Sequence, residues 1–245
     1  MTLPTSHSGQ VSIKGVVVRP TKRTTMIRKL VRGISTLLSP WRSAPGIEGL
    51  CPERLVKIAL HEAGHAAAIV SVGRGSALLR ASILPHSRHG YGLVQSKPDP
   101  HFDSTATRRL LLDMITIKLA GRAAEEVFFG SEEVSVGSSH DLMAATNLAE
   151  GMLFRYGFSK TSGFVVFDTK DKQLPPEATA EMSELLASCY DRALKIVEEH
   201  REAITTVAQR LIDEGHLDGD ALRKCFQENI GSSISSVAHL GLQAA

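Results

Sequence analysis

Cysteine is scarce in this chain of 245 residues: Cys51, Cys189 and Cys225 are odd in number, far apart and never in a C-x-x-C pair. That excludes a disulfide framework and a cysteine-based zinc module, and it fits free thiols in a reducing compartment. Long apolar runs are missing too. No stretch reads as the roughly 20 apolar residues of a membrane-spanning helix. No clean apolar core precedes a small-residue cleavage site near the start, so a secretory signal is not expected either. No G-x-x-x-x-G-K-[ST] loop occurs, which removes the sequence mark of a P-loop nucleotide domain. What is present is ordinary for a soluble globular protein, with 42% hydrophobic residues and a mean hydropathy of −0.02.

Charge divides the chain unevenly. Residues 1–50 hold eight Lys or Arg against the single acid Glu48, a net +7, so with +2 overall the remainder carries −5. The first part of this extension, rich in Ser, Thr, Pro and Gly, reads as disordered. From Thr25 to Leu38, Ile27, Leu30, Val31, Ile34, Leu37 and Leu38 share one helical face, with Arg28, Lys29 and Arg32 elsewhere and Trp41 following. A basic amphipathic helix of this kind can lie on an anionic membrane surface through residues 25–41. Docking on a partner, nonspecific nucleic-acid contact, organelle targeting and a plain solvated tail are the competing readings; nothing marks specific nucleic-acid recognition. Residues 51–230 are long enough for one core, and 231–245 read as a loose Ser-containing tail.

The most informative residues are His61-Glu-Ala-Gly-His65. On a helix, His61 and His65 fall one turn apart on the same face and can share one metal ion, with Glu62 beside them. Two imidazoles and a third protein ligand leave one tetrahedral zinc position for water, and the adjacent carboxylate serves as general base without binding the metal. The surrounding residues read as a helix from Glu53 to Val72, with Leu55, Ile58, Ala59, Ala63, Ala66, Ile69 and Val70 at three- and four-residue spacing after Pro52. The plainer reading is a core helix with incidental histidines. It would leave two imidazoles and a carboxylate on an apolar face, which is costly without a metal.

The third ligand is open on spacing alone. A metzincin-type histidine six residues beyond His65 is excluded, because Ser71 stands there and Ala68 replaces the motif glycine. The acidic candidates are Glu125 or Glu126, in Gly121-Arg-Ala-Ala-Glu-Glu126, and Asp141, in Val134-Ser-Val-Gly-Ser-Ser-His-Asp-Leu142.

These blocks, with Ala145-Thr-Asn-Leu-Ala149 and Tyr156-Gly-Phe-Ser159, match in order and spacing a known pattern. The chain resembles the peptidase domain of the FtsH family of ATP-dependent, membrane-anchored zinc proteases. The resemblance implies His61, His65 and Asp141 as zinc ligands, Glu62 as catalytic base, and a hexameric ring as the assembly. Ser138 or Ser139 can cap the helix that carries Asp141, and an anion in its first turn suits the unpaired amides there. Glu125 or Glu126 then falls to a supporting role, such as accepting the second N–H of an imidazole. Two departures stand out: His140 occupies a position that is usually Asn, and the ATPase is missing from these residues.

The remaining pattern predicts a mainly helical fold with a small sheet. Ala81–Pro85 and Tyr91–Gln95 read as a hairpin around Pro85–Gly90, whose free edge can pair with an extended substrate. His86, His89 and His101 read as solvent-facing loop residues. A long helix is expected over Ser104–Phe129, interrupted at Gly121, then helices at 141–155, 177–200 and 202–214, with a short one over Asp218–Phe226. A polar connection lies at 168–176. The expected function is a Zn2+-dependent endopeptidase acting on unfolded or flexible polypeptides without an ATPase of its own, cytoplasmic or peripheral at a membrane. A separate ATPase is a candidate partner. The alternative is a non-catalytic regulator of an ATP-dependent membrane protease.

Overall fold

The computed structural model describes residues 50–86, 90–102, 104–167 and 176–228. The basic extension with its stretch at 25–41, His89, nearly all of the connection at 168–176 and the tail at 231–245 lie outside them.

Helix α1, Pro52–Ile69, occupies the centre. Pro52 sits in its first turn, where the missing N–H has no helical partner to lose. Every residue from Ala59 to Ile69 is buried, the mark of a helix enclosed on all sides rather than lying on a surface. By length and composition the stretch Pro52–Ala77, which contains an 18-residue window of mean hydropathy 1.3, is apolar enough to cross a membrane, which corrects the expectation that no such stretch exists. Its apolar surface is already used: 72% of that window is buried inside the protein. The apolar spacing continues to Val72, but the helix ends at Ile69 in a π-type turn, Val70–Arg74, where Gly73 adopts φ 81°.

The sheet comes next. Strands β1, Leu78–His86, and β2, Gly90–Ser96, form the expected hairpin, with His86 closing β1 rather than lying in a loop. Helix α2, Arg108–Phe129, begins where the Thr107 hydroxyl accepts from the Leu110 N–H at 3.2 Å. It runs unbroken through Gly121, contrary to the expected interruption. A single helical glycine costs only about 1 kcal/mol, and the reason for this one lies across the interface with α1. That interface is tight. A Cβ placed on Gly64 would lie 2.6 Å from the Ala120 carbonyl oxygen and 2.7 Å from Ala124 Cβ, so only glycine lets the two helices come this close.

Helix α3, Ser139–Phe154, follows a 3-10 turn at Val136–Ser138. The expected serine cap does not form at Ser138, the residue at the N-cap position. Its hydroxyl donates instead to the Ser135 carbonyl at 3.4 Å. Helices α4, Pro176–Glu199, and α5, Arg201–Glu214, bury one face each, led by Ala193, Ile196 and Val197 and by Ile204, Val207 and Leu211. Gly215, at φ 78°, then turns the chain into strand β3, His216–Asp218, which pairs antiparallel with β1 through Ala81 and Leu217. The sheet order is β2-β1-β3. Sequence reading began a helix at Asp218; the helix, α6, covers residues 219–228 and follows a strand too short for its alternation to register. The mainly helical fold with a small sheet is what the pattern predicted.

One side chain on α4 organises the loop after α3. Glu181 accepts from the Ser159 hydroxyl at 2.6 Å, the Lys160 N–H at 2.7 Å and the Thr161 N–H at 3.2 Å. Partial burial pushes its carboxyl upward, but these three donors dominate and hold it at about 2 against an ordinary 4.5. A carboxyl with a depressed folded pKa stabilises the fold above the unfolded value and loses that contribution as pH falls through the folded one. Glu181→Gln should therefore lower the thermal midpoint relative to wild type at pH 7, and the gap should shrink as pH falls from about 4.5 to about 2. Paired melting curves across that range check it; a gap independent of pH would contradict the assignment.

Candidate metal centre

The buried run of α1 carries three polar residues. His61, Glu62 and His65 are 8%, 7% and 7% exposed, far from water for groups of this kind. The face of α2 opposite them supplies their partners. His61 Nδ1 lies 2.8 Å from Glu125 Oε1, and His65 Nδ1 lies 2.7 Å from the Ile117 carbonyl oxygen. A carboxylate and a carbonyl only accept, so both Nδ1 atoms carry hydrogen and donate. In the neutral rings both Nε2 lone pairs then face inward, 3.1 Å apart.

Helix α3 completes the cluster. Asp141, in its first turn, brings Oδ2 to 3.4 Å from His61 Nε2 and 3.2 Å from His65 Nε2. Three electron-rich atoms thus converge, and together they form a group able to hold a metal ion. Only a cation in their midst makes such an arrangement favourable. The separations fit zinc, since bonds near 2.0–2.1 Å in a tetrahedron put neighbouring ligand atoms about 3.3 Å apart. Titration tells the same story for a proton. Burial by itself lowers the His61 pKa, yet the bonds to Asp141 and Glu125 outweigh it and push the ring to about 10. Asp141 shifts the opposite way: burial pulls its carboxyl up, but both imidazoles and Lys118 hold it well below the carboxylate range.

Glycine makes the cluster possible. A Cβ on Gly121 would fall 2.4 Å from His61 Nε2 and 2.6 Å from two ring carbons. Helical side chains lean toward the N-terminus over the preceding turn, so a bare position 121 also leaves the Ile117 carbonyl open to His65. Glu125 is 1% exposed and is tied at its other oxygen to the Ser135 N–H at 2.7 Å. Burial raises its carboxyl, but His61 and Ser135 prevail and keep it low, and therefore charged. Glu126 turns away and accepts from the Tyr190 hydroxyl at 2.7 Å.

Glu62 does not join the three converging atoms. Burial raises its carboxyl above the ordinary 4.5 despite the nearby histidines, which moves a carboxylate toward the range useful to a base at neutral pH. Strand β2 passes directly beside it: a Cβ on Gly92, at φ +90°, would lie 2.3 Å from Glu62 Oε1. Among the described residues β2 has a strand on one side only. His140 is exposed, as is His101. In the sequence Ile117, Lys118 and Gly92 belong to no motif, and Gly121 has the look of a break. The signals were the glycines inside a strand and a helix, each a mark of close approach.

A central helix bearing two histidines and a glutamate, met by an aspartate from a second helix, has the build of a metallopeptidase domain. The family comparison agrees: the model described as Peptidase family M41 matches residues 51–225, and the chain belongs to that family. It is 34% identical over 174 residues to the mitochondrial inner membrane m-AAA protease component yta12 of Schizosaccharomyces pombe, covering 67% of this chain and 22% of that protein. It is 31% identical over 197 residues to the ATP-dependent zinc metalloprotease FtsH of Thermotoga maritima, covering 73% and 32%. FtsH of Burkholderia pseudomallei is 34% identical over 185 residues, covering 68% and 27%. The chain thus spans between about a fifth and a third of these relatives.

Replacing Gly121 tests the packing directly. Alanine gains up to about 1 kcal/mol of helix propensity, but its methyl would collide with the His61 ring, and overpacking costs about 1–3 kcal/mol. Gly121→Ala should be net destabilised and should lose most bound metal after dialysis against trace Zn2+. Metal analysis with thermal unfolding checks this; full zinc content would show that His61 does not lie against position 121.

Proposed function

We propose that this chain is a zinc-dependent endopeptidase that cleaves unfolded or flexible polypeptides, with His61, His65 and Asp141 as metal ligands and Glu62 as catalytic base. The observation that carries the reading is the spacing of the three donor atoms, 3.1 to 3.4 Å, with a fourth, carboxylate-bearing residue buried beside them. When bound, Zn2+ supplies Lewis acidity that lowers the pKa of water toward about 7 and polarises a peptide carbonyl. Glu125 and the Ile117 carbonyl fix both imidazoles as Nδ1–H tautomers and leave Nε2 free to ligate. Glu62, raised in pKa by burial, takes the proton of the attacking water and hands it to the leaving amine.

The side of β2 that carries no strand among the described residues supports the substrate class. An extended peptide adding there would run along the strand that carries Gly92, beside Glu62. Main-chain pairing requires an unfolded segment and reads few side chains. The 245 residues contain no phosphate-binding loop, so ATP-driven unfolding, where a substrate needs it, falls to an ATPase outside these residues. The relatives named as ATP-dependent proteases and as components of an m-AAA protease make an oligomeric assembly with such a partner the natural setting. The inner-membrane relative and the basic segment at 25–41 favour attachment at a membrane surface.

Casein hydrolysis tests the chemistry. Glu62→Gln should keep zinc and lose at least about a hundredfold in kcat, the usual scale for a positioned base. Asp141→Ala should lose both metal and activity. A zinc-loaded wild type that cleaves no unfolded substrate, and that captures an ATP-dependent protease instead, would favour the regulatory alternative. Membrane attachment is tested separately by sedimentation with vesicles containing anionic lipid. Full-length protein should pellet and a version beginning at Glu48 should not; equal behaviour would dismiss a role for the extension.

A further inference from the structure

The part of α2 turned to the site presents the Ile117 carbonyl and, at three- and four-residue spacing, Lys118, Gly121 and Glu125. Three of these already have a part: a carbonyl for His65, a bare Cα for His61, and a carboxylate for His61. Lys118 is the fourth. Its Nζ lies 3.4 Å from Asp141 Oδ1, the oxygen that takes no part in the contacts with the imidazoles. Those contacts belong to Oδ2, at 3.2 and 3.4 Å. The two oxygens of one carboxylate are therefore divided between an ammonium and the candidate metal position.

We propose that Lys118 is a positioning residue of the metal centre, which holds Asp141 Oδ1 so that the carboxylate offers the metal one oxygen rather than two. This rests on the metal-centre reading above. A carboxylate beside a divalent ion readily binds through both oxygens. Two imidazoles and a two-oxygen carboxylate would fill the four positions zinc prefers and leave none for water. Pinning Oδ1 to an ammonium keeps one position open. A lysine side chain only 35% exposed, set against an aspartate 18% exposed, is held more firmly than a surface pair.

The experiment is Co2+ substitution of the full chain, with the visible spectrum of the bound ion as a readout of its coordination, beside peptidase kinetics. Lys118→Met should change the cobalt spectrum and lower kcat by about tenfold or more, the scale of lost supporting contacts at metal sites, with KM within about twofold. Lys118→Arg, which restores a cation, should recover both. Melting curves establish that each variant folds. An unchanged spectrum in Lys118→Met overturns the proposal alone, as does an arginine variant no better than methionine. A wild-type chain that binds no Co2+ overturns the metal-centre reading and the proposal with it.

Discussion

Everything at this site depends on how closely α1 and α2 approach. Gly64 and Gly121 face opposite helices, each at a point where one added carbon would come within 2.7 Å of a neighbouring atom. Between them the interface is lined by Ala120 and Ala124, small residues with no exposed surface. Larger side chains would hold the helix axes apart by an ångström or more. The Glu125 carboxylate and the Ile117 carbonyl would then be out of hydrogen-bond reach, and the imidazoles would lose the bonds that aim Nε2 inward. The glycines thus act on chemistry through distance, although neither touches a reacting group.

That closeness has an electrostatic cost which the same residues offset. Burying His61, Glu62, His65 and Glu125 together removes four polar groups from water, a penalty of several kcal/mol if left unpaired. Each Nδ1 has its acceptor, and Glu125 has both an imidazole and the Ser135 amide. What the protein does not satisfy by itself is the inward cluster of two Nε2 atoms and Asp141 Oδ2, which needs a positive charge. Hence the opposite shifts of His61 and Asp141: the cluster traps a proton in the place a metal would take. A metal bound here would therefore release that proton, so that the two events would be coupled.

The sequence made the central helix legible because H-E-x-x-H and the apolar spacing agree on one period, and local and tertiary demands coincide there. The hairpin was legible for the same reason, through alternation flanking a turn. Asp141 was one acidic candidate among others on spacing, and only the resemblance singled it out, since a first-turn acid looks the same whether it faces a metal or solvent. Gly121 misled, because in sequence a helical glycine marks a break and only the partner helix shows what it admits. Strand β3 has three residues, too few for a period of two to stand out. Lys118 gave no signal, because a charged residue between Ile117 and Leu119 reads as the polar side of a helix until α3 is placed beside it.

The arrangement of helices also bears on how the site responds to its metal. Asp141 is separated from His65 by 76 residues and from His61 by 80, and α1 and α3 pack mainly on α2 rather than on each other. A metal held by all three residues is then a direct bond between two helices that otherwise communicate through a third. Its binding free energy adds to the stability of the assembled state, because the unfolded chain cannot bring donors so far apart to one point. In the proposed function the centre is at once a catalytic device and a staple. The loop anchored by Glu181 follows α3 directly, so loss of the ion would loosen that segment before it reached the enclosed core of α1.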